Sequence, residues 1–226
     1  MNAQTMLEQL LKSGLSMIEG KAQPGGAPSN ADAGWGKFGA GAATGGAIGL
    51  LLGSKRGRKF GGKALKYGSV AALGLLAYKA YGNWQAQQQP QASAPPAAPP
   101  RTVNLLPAPQ VEQHSLAMLQ SMIAAAKADG HLDERERGLV EAELSRMSAD
   151  ADTRRWFEDE LRKPLDPAEV ARAAGSPEMA AEMYLASLLV ADETSFMERA
   201  YLDELARQLR LPEGLKVELE RQALAA

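Results

Sequence analysis

Glycine recurs at every fourth position from Gly41 through Gly45, Gly49, Gly53 and Gly57 to Gly61. In a helix, residues four apart share one face, so these six glycines make a groove bare of side chains. In water such a helix is poor, because each glycine costs about 1 kcal/mol relative to alanine. In lipid the same bare face lets a second helix approach closely. Two uncharged stretches, 38–54 and 67–78, flank the basic run KRGRKFGGKALK. A spanning helix needs about 20 apolar residues, with a lower limit near 17, which the first stretch just reaches. The second spans only if Lys66 and Lys79 snorkel and Tyr67, Tyr78, Tyr81 and Trp84 form an interfacial belt. Residues 38–84 therefore read as a glycine-zipper membrane segment, either one span or a tight hairpin. Lipid is its expected partner, and the six glycines are its helix-packing or oligomerisation face. The competing reading is a soluble chain whose glycine-rich N-terminus is disordered. The positive-inside rule places Lys55, Arg56, Arg58, Lys59, Lys63 and Lys66 on the cytoplasmic side and leaves the side of the C-terminal domain open.

Charge divides the chain at the same region. Residues 1–100 carry ten Lys/Arg against three Asp/Glu, and residues 101–226 carry fifteen against twenty-four. Modules in different environments follow from such asymmetry. Ahead of the glycine run, Leu7, Leu10, Leu11, Leu15 and Ile18 stand three or four apart on an amphipathic helix. That stripe fits a membrane surface, a partner or another part of the same protein. A Gly/Pro/Ser-rich connector completes residues 1–37. Residues 85–110 hold seven of the chain's thirteen prolines and a single charge, Arg101. They read as a semi-rigid linker that could extend roughly 80 Å at about 3.1 Å per residue.

Residues 111–226 repeat apolar side chains at helical spacing and show no strand-like alternation, so the fold class is all-α, a helical bundle. Start signals punctuate it: Asp133 with Glu136, Asp166 before Pro167, Ser176 before Pro177, and Ser195 with Glu198. Two stretches resemble each other, MLQSMIAAAKADGHLDERERGLVEAEL from Met118 and MYLASLLVADETSFMERAYLDELARQL from Met183. Each is an apolar helix ending in Ala-Asp, a polar turn, then Glu-Arg and a new helix. The pattern predicts a pseudo-duplicated helix–turn–helix pair with a carboxylate-rich turn in each half.

The ADGHLDERE turn, its FMERAYLDELA counterpart and the upstream glycine-rich basic segment resemble the YebE family of bacterial inner-membrane proteins, with a C-terminal tellurite-resistance TerB-like domain. That resemblance implies an all-α domain, a bacterial inner-membrane location, no enzymatic activity, and a stress or envelope-related role. It also implies a divalent-cation site, Ca²⁺ or Mg²⁺, at the acidic turns. Carried over, the ligands are Asp129, Asp133 and Glu136 in the first half and Asp192 and Glu198 in the second. Glu193 stands where the family pattern has glycine, and no aspartate matches Asp133, so the two halves are not equivalent.

Elementary chemistry partly supports this set, since hard cations take carboxylate oxygens. An EF-hand is excluded: counted from Asp129, the sixth position is Glu134 rather than glycine and the twelfth is Val140 rather than glutamate. The same residues also suit plain helix capping. The chain has no cysteine and only His114 and His131, which excludes thiolate zinc sites, cysteine nucleophiles and multi-histidine centres. No phosphate loop or nucleophile elbow occurs. The acidic half repels nucleic acid. The expectation is a non-enzymatic interaction module with an unidentified protein partner.

Overall fold

A computed structural model describes residues 2–18, 69–88, 100–128, 138, 140–141, 144–145, 149–191 and 195–225. Among them are eight α-helices, one short 3-10 helix and no strand. The helices are α1 (Ala3–Ile18), α2 (Val70–Gln88), α3 (Ala108–Ala126), α4 (Ala151–Arg162), α5 (Pro167–Ala171), α6 (Pro177–Val190), α7 (Phe196–Gln208) and α8 (Glu213–Ala225). The 3-10 turn Val103–Leu105 precedes α3.

Three of the four start signals are capped helix N-termini. Asp166 Oδ1 accepts from the Ala168 N–H at 2.8 Å, Ser176 Oγ from Met179 at 3.1 Å and Ser195 Oγ from Glu198 at 3.4 Å. Pro167 and Pro177 occupy the first helical positions, where a missing N–H costs nothing. The fourth signal, Asp133 with Glu136, lies outside the described residues. Asp150 adds a cap that the sequence reading missed, accepting from Thr153 N–H at 2.7 Å. That bond and the Thr153 side chain hold the Asp150 carboxyl below its ordinary value.

The core is built on α6, every residue of which from Met179 to Val190 is buried. Its most extensive contact is with α3, which buries Met118, Leu119, Met122 and Ile123 against it. Helices α2, α7 and α8 close around the rest. Phe157 anchors α4, with Trp156 edge-on to it at 5.2 Å.

Helix α1 packs on α3, so the first part of its apolar stripe, through Leu11, belongs to this protein's own core. Met6, Leu7, Leu10 and Leu11 are all buried, each contributing roughly 1.5–3 kcal/mol relative to exposure. Glu112 on α3 fastens its start, accepting from the Ala3 N–H at 2.5 Å and the Gln4 N–H at 3.1 Å. A carboxylate there satisfies orphan donors and complements the helix dipole.

Helix α2 corrects the expectation for the second uncharged stretch. Val70, Leu73, Ala77 and Ala80 form a buried stripe against α6 and α8, with Gly74 between them. No described helix is long and apolar enough to cross a membrane. Periodicity failed to reveal the stripe because the opposite face, with Ala71 and Leu75, is itself apolar. The first uncharged stretch and all six glycines, Gly41 to Gly61, lie outside the described residues.

The proline-rich stretch differs from its expectation at both ends. Helix α2 runs to Gln88, and by Pro100 the chain is buried again. The Val103–Leu105 turn lies across α2 at Gly74, where an added Cβ would stand 2.7 Å from Val103 Cγ1 and 2.8 Å from the Asn104 nitrogen. Glycine is required there by close approach. The segment 38–84 is thus divided: its last fifteen residues, from Val70, belong to the bundle with 111–225. Of the expected duplicated helix–turn–helix, the first turn and the middle of the second lie outside the described residues.

Candidate functional site

Four of the five carboxylates in the cation reading, Asp129, Asp133, Glu136 and Asp192, fall outside the described residues. Glu198 is half-buried in the first turn of α7, three residues after the cap Ser195, and its backbone N–H donates to that serine. This is the spacing of a capping pair. Among the described residues no group of three or more His, Asp or Glu could hold a metal ion.

The strongest buried polar arrangement lies elsewhere. Glu182, in the middle of α6, is fully buried. One carboxylate oxygen accepts the Val103 N–H at 2.5 Å, and the other meets His114 Nδ1 at 2.5 Å. A carboxylate buried this deeply persists only where its lone pairs are met. The arrangement ties the 103–105 turn and α3 to α6. Both oxygens of Glu182 and the facing imidazole nitrogen are thereby engaged with protein groups. Sequence reading missed Glu182. The signal was there: it is the only charge between Met179 and Ala191.

A second polar junction joins the far end of α2 to α8. Asn83 Nδ2 donates to Glu218 at 2.6 Å, and Arg221 and Gln222 donate to the same carboxylate. The Arg221 bond, with help from Gln222 and Asn83, holds the Glu218 carboxyl at about 2. Beside this junction Trp84 lies close to Gly214, where an added Cβ would come within 3.1 Å of the indole.

One open site is a pocket of about 650 Å³ bounded by α5, the start of α6, the turn between α7 and α8, and Tyr81 of α2. Ala171, Ala180, Leu209 and Leu215 supply apolar surface. Arg172, Arg210, Ser176 and Gln208 supply polar groups, and no Asp or Glu lines it. Burial, together with the charge of nearby Glu178, pushes the Tyr81 hydroxyl up.

Arg210 has an unusual backbone. Its N–H bonds the Arg207 carbonyl at 3.1 Å, and the Leu211 N–H bonds the Ala206 carbonyl at 3.0 Å. These are the two bonds of a Schellman ending to α7, with Arg210 in the position usually held by glycine. Its φ of 55° is left-handed, a conformation costing an L-residue roughly 1–2 kcal/mol. Among the described residues it alone of the non-glycines has positive φ. Nothing in the sequence announced this position.

These features define, among the described residues, an all-α bundle with a buried polar centre and a cationic, partly apolar pocket. The chain belongs to the family described as a protein of unknown function, DUF533, which matches residues 37–223. It is also 30% identical over 111 residues to an uncharacterized protein in the ampR 5′ region of Yersinia enterocolitica, covering 49% of this chain and 80% of that protein. No solved structure matches the chain.

Proposed function

We propose that the chain is a non-enzymatic, membrane-associated binding module of the bacterial inner membrane, its bundle TerB-like in character. The glycine face from Gly41 to Gly61 sits in lipid and associates with other copies. The supporting observation is the junction between segments. Helix α2 starts four residues after Lys66 and is locked into the core by Val70, Leu73, Ala77 and Ala80. The basic run therefore leads straight into the bundle and keeps it at whatever surface that run occupies. The non-enzymatic reading draws on His114, which is engaged with Glu182 in the core.

Membrane fractionation and vesicle flotation of the full chain test this reading. The parent co-floats with anionic vesicles and needs detergent for extraction, whereas a variant with Gly45, Gly49 and Gly53 all changed to glutamate loses both properties. Recovery of the parent in the soluble fraction without detergent, with no flotation, overturns it. Binding of Ca²⁺ or Mg²⁺ by the acidic turns is a separate proposal, resting on the family resemblance. It predicts that Asp129→Ala and Asp192→Ala weaken binding in calorimetry, and unchanged binding disposes of it.

A further inference from the structure

We propose that the pocket between α5, the start of α6 and the α7–α8 turn binds a small amphipathic anion, a carboxylate or phosphate monoester bearing a short apolar chain, held by Arg172 and Arg210. Charge is the first argument. Residues 101–226 are strongly acidic, yet this pocket is lined by two arginines and no carboxylate. Both arginines are exposed, and among the described residues neither side chain has an ion-pair or hydrogen-bond partner, a state they share with Arg199, which does not line the pocket. Arg155, Arg162, Arg207 and Arg221 each pair with a carboxylate three or four residues away on the same helix. Glu178, whose charge reaches Tyr81, does not line the pocket.

Backbone strain is the second argument. Position 210 accepts glycine without strain, yet an arginine is held there in left-handed conformation at the pocket's edge. Size and surface complete the case. About 650 Å³ falls in the range of small-ligand sites, and the alanine and leucine surface suits a short acyl or alkyl chain. The opening of α6 at Ser176 adds the positive end of a fourteen-residue helix.

Calorimetry on the full chain with hexyl phosphate, hexanoate and hexylammonium tests the site. Hexyl phosphate and hexanoate bind and hexylammonium does not. Arg172→Gln and Arg210→Gly each weaken hexyl phosphate binding about tenfold or more, the scale of one charge-assisted hydrogen bond. Arg210→Gly at the same time raises Tm, because glycine relieves the strain, so its loss of binding cannot come from unfolding. The proposal is overturned if hexylammonium binds as tightly as hexyl phosphate, or if both variants bind hexyl phosphate as the parent does. Displacement of hexyl phosphate by phosphatidic acid vesicles, but not by phosphatidylcholine vesicles, assigns the anion to a lipid headgroup. Displacement by neither assigns it to a free solute, and both results uphold the site.

Discussion

Helices α2 and α6 are both apolar and weakly charged, and neither shows a hydrophobic stripe in its sequence. They lack it for opposite reasons. Helix α6 is surrounded, so every side chain from Met179 onward meets protein and no polar face is needed. Helix α2 is covered on one side only, and its outer side keeps Leu75 at 43% exposure. An apolar run of this length is compatible with a core helix as readily as with lipid. The two also differ in how polar groups are handled. Helix α6 buries a carboxylate between two partners, whereas α2 uses bare and small side chains, Gly74, Ala77 and Ala80, to admit its neighbours.

The sharpest test of that contrast is Glu182→Ala. It strips the partner from the Val103 N–H and from His114 inside the core, and breaking a buried pair this way costs about 3–5 kcal/mol. Urea denaturation should show an unfolding free energy lower by that amount, read as a lower midpoint at unchanged m, with Glu182→Gln falling less because one oxygen still accepts. A midpoint unchanged in Glu182→Ala would mean that α6 does not depend on the buried contacts of Glu182.

For α2 the corresponding test contrasts two of its glycines. At Gly74 an added Cβ meets backbone and the Val103 side chain below 3 Å, and at Gly82 it meets nothing within 4 Å. Gly74→Ala should therefore destabilise by about 1–3 kcal/mol. Gly82→Ala should stabilise by up to about 1 kcal/mol through helix propensity. Thermal unfolding of both variants checks this, and equal shifts of the same sign would show that the 103–105 turn does not rest on α2.

The smallest effect concerns the far end of α2. Glu218 titrates near 2 in the folded chain against an ordinary 4.5. Its folded value is depressed, so its contribution is complete above pH 4.5 and is lost as pH falls toward 2. Arg221 is largely exposed, which limits the contribution to a few tenths of a kcal/mol, about 1 at most. Glu218→Gln should flatten that acid limb of the stability curve while leaving the alkaline limb unchanged. An identical acid limb in parent and variant would remove the Asn83–Glu218 link from the account of α2.

Much of the bundle was legible because its signals are local. The Ser176–Pro177 and Asp166–Pro167 starts, and the spacing of Leu205 with Leu209, act within one or two turns and need no distant partner. Glu112 was not legible as the cap of α1, because its partners are more than a hundred residues away. Trp84 was read as an interfacial aromatic, and its actual neighbour, Gly214, is even more remote in sequence. The pocket was invisible for the same reason: Tyr81, Arg172 and Arg210 come from three separate regions of the chain.

By itself the sequence determined the helical class, three helix starts in the C-terminal half, at Asp166, Ser176 and Ser195, and the absence of thiol chemistry, since these follow from composition and from contacts inside one helix. Only the tertiary structure decided that α1 and α2 belong to the core, that Glu182 is its polar centre and that two arginines share one pocket. Burial is a property of what surrounds a residue. An apolar face looks the same on paper whether lipid, a partner or a distant part of its own chain will cover it.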